Sequence, residues 1–81
     1  MHYVYILRSK KNNKRYAGFT KKEPVEILRE HNAGSGSWTK RNGPFDLMYT
    51  ECFSDKKSAL KREAYFKTGA GRRFLDKIVP L

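Results

Sequence analysis

Glu63 stands where a carboxylate is costly to place. The segment Lys56–Thr68 (KKSALKREAYFKT) reads as a helix. At about 100° per residue, with Ala59 at zero, Leu60 lies at about 100°, Ala64 at about 140° and Phe66 at about 340°. Glu63 falls at about 40°, between Ala59 and Leu60, so it points where the apolar stripe points, while Lys61 and Arg62 point away. A carboxylate on an inward face must meet a cation, a metal or hydrogen bonds. A divalent metal at a phosphate-handling site is one such partner. A basic side chain from elsewhere is the other, and both stay open in a chain with 18 Lys and Arg.

The second chemical signal is charge. Eighteen basic residues against 8 acidic ones leave a formal net charge of +10, which points to a polyanionic partner. The cations run from Lys10 and Lys11 through Lys14, Arg15, Lys21 and Lys22 to Arg72 and Arg73. A membrane-surface protein concentrates them on one amphipathic helix or tail, so nucleic acid is the better expectation. Trp38 sits with Lys40 and Arg41, where it can stack on a base or sugar, or close as a lid over the core.

These residues belong to one small domain, because 81 residues are too few for two cores. With 14% aromatic residues the chain can fill a core, which excludes a disordered tail. No run approaches the ~20 apolar residues of a membrane helix. Met1 leads at once into strand-like sequence, without the pattern of a secretory leader. Cys52 is the single cysteine, so neither an intramolecular disulfide nor a zinc ribbon is expected, and no triad surrounds it. The expected compartment is the cytoplasm.

Six elements position the candidates. His2–Ser9 (HYVYILRS) and Arg15–Thr20 (RYAGFT) read as an antiparallel hairpin around the polar turn KKNNK, whose Asn residues tolerate positive φ. Gly18 inside the second strand suggests a bend or a close backbone approach. Pro24 opens a helix to Asn32. Ala33–Pro44 is a long loop, and Phe45–Phe53 is a third strand. Ser54 or Asp55 caps the helix that carries Glu63, Gly69-Ala70-Gly71 stops it, and Arg72–Ile78 forms a short last helix. The order β-β-α-β-α-α is an α+β domain.

The motif succession is informative. Tyr3-Val4-Tyr5 in the first strand is followed, 13 residues from Val4 to Ala17, by Tyr16-Ala17-Gly18 in the second. Then come Glu30-His31-Asn32, Gly43-Pro44-Phe45 and Ala59-Leu60-Lys61-Arg62-Glu63. This chain resembles the GIY-YIG nuclease superfamily over essentially its whole length, most of all its short stand-alone bacterial members. The resemblance implies a small three-stranded antiparallel sheet flanked by helices. It implies metal-dependent hydrolysis of a DNA phosphodiester, with Mg²⁺ or Mn²⁺ as cofactor. The family's two motif tyrosines fall on Tyr5 and Tyr16, its histidine on His31 and its metal-binding glutamate on Glu63. In that scheme Tyr5 takes the proton of the attacking water, Glu63 holds the metal, Tyr16 bonds the phosphate or positions the base, and His31 supports either. Read without the resemblance, each tyrosine is a sheet aromatic whose hydroxyl reaches water or backbone.

One family position differs. The arginine four residues before the histidine is Ile27 here, and the span from Tyr16 to His31 is one residue longer than in common members. With Val25 at zero, Ile27 lies at about 200°, His31 at about 240° and Arg29 at about 40°, so Arg29 does not simply replace it. Loss of such a cation costs about 10²–10³-fold in rate. Lys14, Arg15 and Lys22 are the candidate substitutes. With Arg29, Trp38, Lys40 and Arg41 they form the expected nucleic-acid surface. The expected partner is DNA, branched or damaged forms included, engaged by a monomer or weak dimer, with no membrane. The alternatives are a nucleic-acid-binding module on the same fold without cleavage and a protein-docking domain.

Overall fold

The structure is a computed structural model that describes residues 1–33 and 41–79. Three strands, β1 (His2–Ser9), β2 (Arg15–Thr20) and β3 (Phe45–Phe53), form an antiparallel sheet in the order β2-β1-β3. The three helices described are α1 (Pro24–Asn32), α2 (Lys56–Phe66) and α3 (Gly69–Ile78). The expected α+β fold, order β-β-α-β-α-α, is the one observed.

Strand β1 is central because both of its faces are apolar enough to be covered. Val4 and Ile6 point to one face and join Ala59, Phe66, Leu75 and Val79 in the core beneath α2 and α3. Tyr5, Leu7 and Ser9 point to the other face, which α1 covers. The hairpin turn uses Asn13 in the left-handed region, at φ 61°. Asn12 Oδ1 accepts from the Lys14 N–H at 3.0 Å. Ser9 is fully buried because its hydroxyl is spent locally. It accepts from the N–H groups of Lys11 and Asn12 and donates to the Asn42 carbonyl at 2.6 Å.

A register shift decides which residues of β3 face the site. Ile6 pairs with Tyr49 but Leu7 pairs with Leu47, so Met48 is an extra residue. Side chains alternate with period 2, so one inserted residue flips the rest of the strand. Phe45 and Leu47 therefore share the α1 face, while Tyr49 lies edge-on to Phe66 on the α2 face.

Two local expectations are corrected. Helix α2 ends at Phe66 rather than Thr68, and Gly69-Ala70-Gly71 opens α3 instead of only stopping α2. Thr68 caps α3 by accepting from the Gly71 N–H at 3.1 Å. A Cβ at Gly71 would lie 1.9 Å from the Tyr65 carbonyl oxygen, so glycine is needed there for close helix packing. The N-cap of α2 is Asp55, which accepts from the Ser58 N–H at 2.8 Å.

The buried face of α2 is also rotated from the expected one. Leu60 is 40% exposed and Ala64 is exposed, whereas Arg62 turns inward. Its guanidinium bonds both Glu51 oxygens, at 2.7 and 3.1 Å, and lies 4.7–4.9 Å from the ring centres of Phe66, Tyr65 and Phe74. The stripe is thus Ala59, Arg62, Glu63 and Phe66, the i, i+3, i+4, i+7 pattern of one helix face.

Candidate active site

Tyr5 projects from the middle of the sheet and lies across Gly18, its register partner on β2. A Cβ at Gly18 would stand 2.3 Å from both Cζ and Oη of Tyr5. The glycine expected to permit close approach does so for this phenol. On the other side α1 delivers His31, with Nε2 3.5 Å from Tyr5 Oη and ring centres 6.2 Å apart.

Helix α1 is anchored so that His31 cannot drift. Pro24 is buried at its first turn. At its end Asn32 clamps the start of β3: its Oδ1 accepts from the Phe45 N–H at 2.8 Å and its Nδ2 donates to the Phe45 carbonyl at 3.2 Å. Phe45, 1% exposed, then meets His31 and Tyr16 edge-on, at 5.9 and 5.7 Å between ring centres. Tyr5, His31, Phe45 and Tyr16 form one continuous cluster of rings on the α1 face. The Tyr16 hydroxyl donates to Asn42 Oδ1 at 3.4 Å.

Glu63 is drawn in as expected, its side chain 22% exposed. Burial raises the Tyr5 phenol above its ordinary pKa of 10, and the carboxylates of Glu63 and Glu30 raise it further. The negative charge of Glu63 thus reinforces what burial does to Tyr5. Lys67, one turn on, reaches Glu63 Oε2 at 3.6 Å. Among the described residues no group of three or more His, Cys, Asp or Glu side chains could hold a metal alone. A lone carboxylate still suits a hard divalent cation, because Mg²⁺ commonly binds through one or two carboxylates, water and the substrate's phosphate.

The expected basic surface divides. Lys14 and Tyr16 line an open groove of about 820 Å³ between β2 and the α2–α3 junction. Arg15 borders it too, but its guanidinium holds Asp76 at 2.6 Å and the Val79 carbonyl at 3.2 Å. These bonds fasten β2 to the C-terminal helix. Lys22 pairs with Glu30 at 2.7 Å, and Arg29 is exposed on α1, away from the half-buried Ile27. Arg41 is exposed, and its carbonyl accepts from Lys11 Nζ at 3.1 Å. Trp38 and Lys40 lie outside the described residues. Cys52 is exposed.

Asn42 and Lys67 were not singled out at the sequence level, whereas Arg72 stood among its cations. Lys67 was within reach of it, since it follows Glu63 at i+4. Asn42 gave no signal, because its role depends on strands brought together from elsewhere. Among the described residues no helix is long and apolar enough to cross a membrane.

Residues 1–74 match the GIY-YIG catalytic domain. The chain is 41% identical over 78 residues to the UPF0213 protein SH2523 of Staphylococcus haemolyticus, covering 95% of this chain and 93% of that one. It is 37% identical over 67 residues to the UPF0213 protein YazA of Bacillus subtilis, covering 82% and 66%. The solution NMR structure of the UPF0213 protein BH0048 of Bacillus halodurans superposes with a TM-score of 0.57 at 32% identity, covering 98% of this chain and 87% of that one. With the domain match spanning nearly all of its length, this chain belongs to the GIY-YIG nuclease superfamily.

Proposed function

We propose that this protein is a metal-dependent DNA endonuclease of the cytoplasm, with Tyr5, His31 and Glu63 at its centre and Tyr16 beside them. The observation that carries the reading is the inward carboxylate of Glu63 acting on a phenol that already faces an imidazole. Glu63 is the residue that would hold Mg²⁺ or Mn²⁺. Bound there, the cation would supply positive charge for the phosphoryl oxygens.

The remaining chemistry belongs to the side chains. Tyr5 passes its hydroxyl proton to His31 Nε2 and takes the proton of the attacking water. The water oxygen bonds phosphorus, the P–O bond to the leaving sugar oxygen breaks, that oxygen takes up a proton from solvent, and His31 returns its extra proton to solvent. The products are a phosphomonoester and an alcohol. Tyr16, on the same sheet face, holds a phosphate oxygen through its hydroxyl.

The test is incubation of purified protein with linear, nicked and branched DNA plus Mg²⁺ or Mn²⁺. Wild type should cleave, while Glu63→Gln and Tyr5→Phe should each lose about 10²-fold or more. Equal background cleavage by all three proteins would reject the enzyme reading. Ile27, in place of the family arginine, favours a second reading in which the same surface binds DNA without cutting it.

A further inference from the structure

Neither Tyr5 nor His31 lines the groove between β2 and the α2–α3 junction, and of the residues that do, only Tyr16 enters the chemistry above. It is lined by the exposed Lys14, Lys67 and Arg72, by Tyr16, and by the buried Phe66 and Leu75. Among the described residues no carboxylate lines it. Arg15 is already neutralised by Asp76, so the three exposed cations supply the net charge. Lys67 is the link to the centre. Its side chain is 58% exposed, and 3.6 Å from Glu63 is long for a charge-assisted hydrogen bond, so its ammonium is readily released to another anion.

We propose that this groove carries the sugar–phosphate backbone of a DNA strand next to the scissile bond, with Lys14, Lys67 and Arg72 on successive phosphates and Tyr16 at the junction with the catalytic centre. The apolar lining suits sugar and base faces, which an acidic peptide does not present. In the free protein Lys67 leans on Glu63. With DNA bound it turns to a phosphate and leaves the carboxylate clear. The inference rests on the nuclease reading but assigns the path of the strand, which that reading leaves open.

Binding measured without cleavage separates the two. A labelled DNA duplex is titrated by fluorescence anisotropy in EDTA over a range of salt concentrations. Lys14→Ala, Lys67→Ala and Arg72→Ala should each weaken binding about eightfold at 0.1 M salt and reduce the log–log salt slope by about 0.9. Lys56→Ala and Lys57→Ala are the controls. Lys57 lies about 15 Å from Lys67 along α2, and both controls should change affinity less than about twofold. Equal losses in groove and control variants would overturn the groove assignment while leaving DNA binding intact. Wild-type protein that fails to bind DNA would overturn both readings. A poly-aspartate peptide of equal charge that bound as tightly as DNA, with the same sensitivity to the groove variants, would hand the groove to an acidic protein and reject the strand.

Discussion

Replacing Gly18 by alanine should damage chemistry far more than folding. The new Cβ would lie 2.3 Å from Tyr5 Cζ and Oη. Carbon atoms settle at about 3.5–4.0 Å, so the end of the phenol must move by about 1.2 Å or more. Tyr5 Oη is 3.5 Å from His31 Nε2, and a shift of that size spoils the geometry between the two groups. Misplacing a reacting group by about 1 Å can cost about 10²-fold in rate. The energetic cost of the clash is small by comparison, because the atoms met are the far end of a half-buried side chain. Overpacking costs about 1–3 kcal/mol, and loss of glycine's unfolded-state freedom returns about 0.4–1 kcal/mol. The expected outcome is a cleavage rate reduced about 10²-fold under single turnover, with urea-melt stability lowered by about 1 kcal/mol. In a Tyr5→Phe background the same substitution should add almost nothing to the loss of rate, since the hydroxyl it displaces is gone. A Gly18→Ala protein at full rate, or losses that multiply in full in the double variant, would refute the reasoning.

Ile27→Arg restores a cation four residues before His31, on a half-buried position from which a long side chain can reach outward. Cleavage should rise by about 10²-fold, and an unchanged rate in the gel assay would show that this position does not limit the chemistry. Gly71→Ala should lower urea-melt stability by about 3 kcal/mol, because its Cβ would meet backbone at 1.9 Å, while Gly69→Ala, 3.5 Å from the Arg73 side chain, should be tolerated. Glu51 gives a pH prediction. Burial pushes its carboxyl upward, but hydrogen bonds from Arg62 and Tyr49 outweigh that and hold it below its ordinary value of 4.5. A depressed folded pKa contributes stability above about pH 4.5 that is lost as pH falls through the folded value. Urea melts from pH 6 to about pH 3 should show that decline, and Glu51→Gln should flatten it.

Much was legible in the sequence because it is encoded locally. The bounds of β1, β2, α1 and β3 follow from alternation, from Asn-rich and Gly-rich turns, and from Pro24 at a helix start. The inward aim of Glu63 followed from helical periodicity, and the roles of Tyr5, Tyr16 and His31 from motifs in order along the chain. Those motifs name the residues but not their distances.

Only tertiary structure decided the rest. Lys61 and Arg62 both read as facing away from the apolar stripe, yet Arg62 turns inward because Phe74 of α3 and Glu51 of β3 meet it beside Tyr65 and Phe66 of its own helix. Arg15 likewise fastens β2 to α3, because α3 places Asp76 beside it. The extra residue at Met48 flips β3 midway, and the partner strand that makes it a bulge is some forty residues away. Gly69-Ala70-Gly71 has the composition of a helix stop, but the close approach to Tyr65 that requires Gly71 exists only once α3 has packed. Periodicity records what one element wants to bury, whereas the partner that meets it is a property of the assembled core.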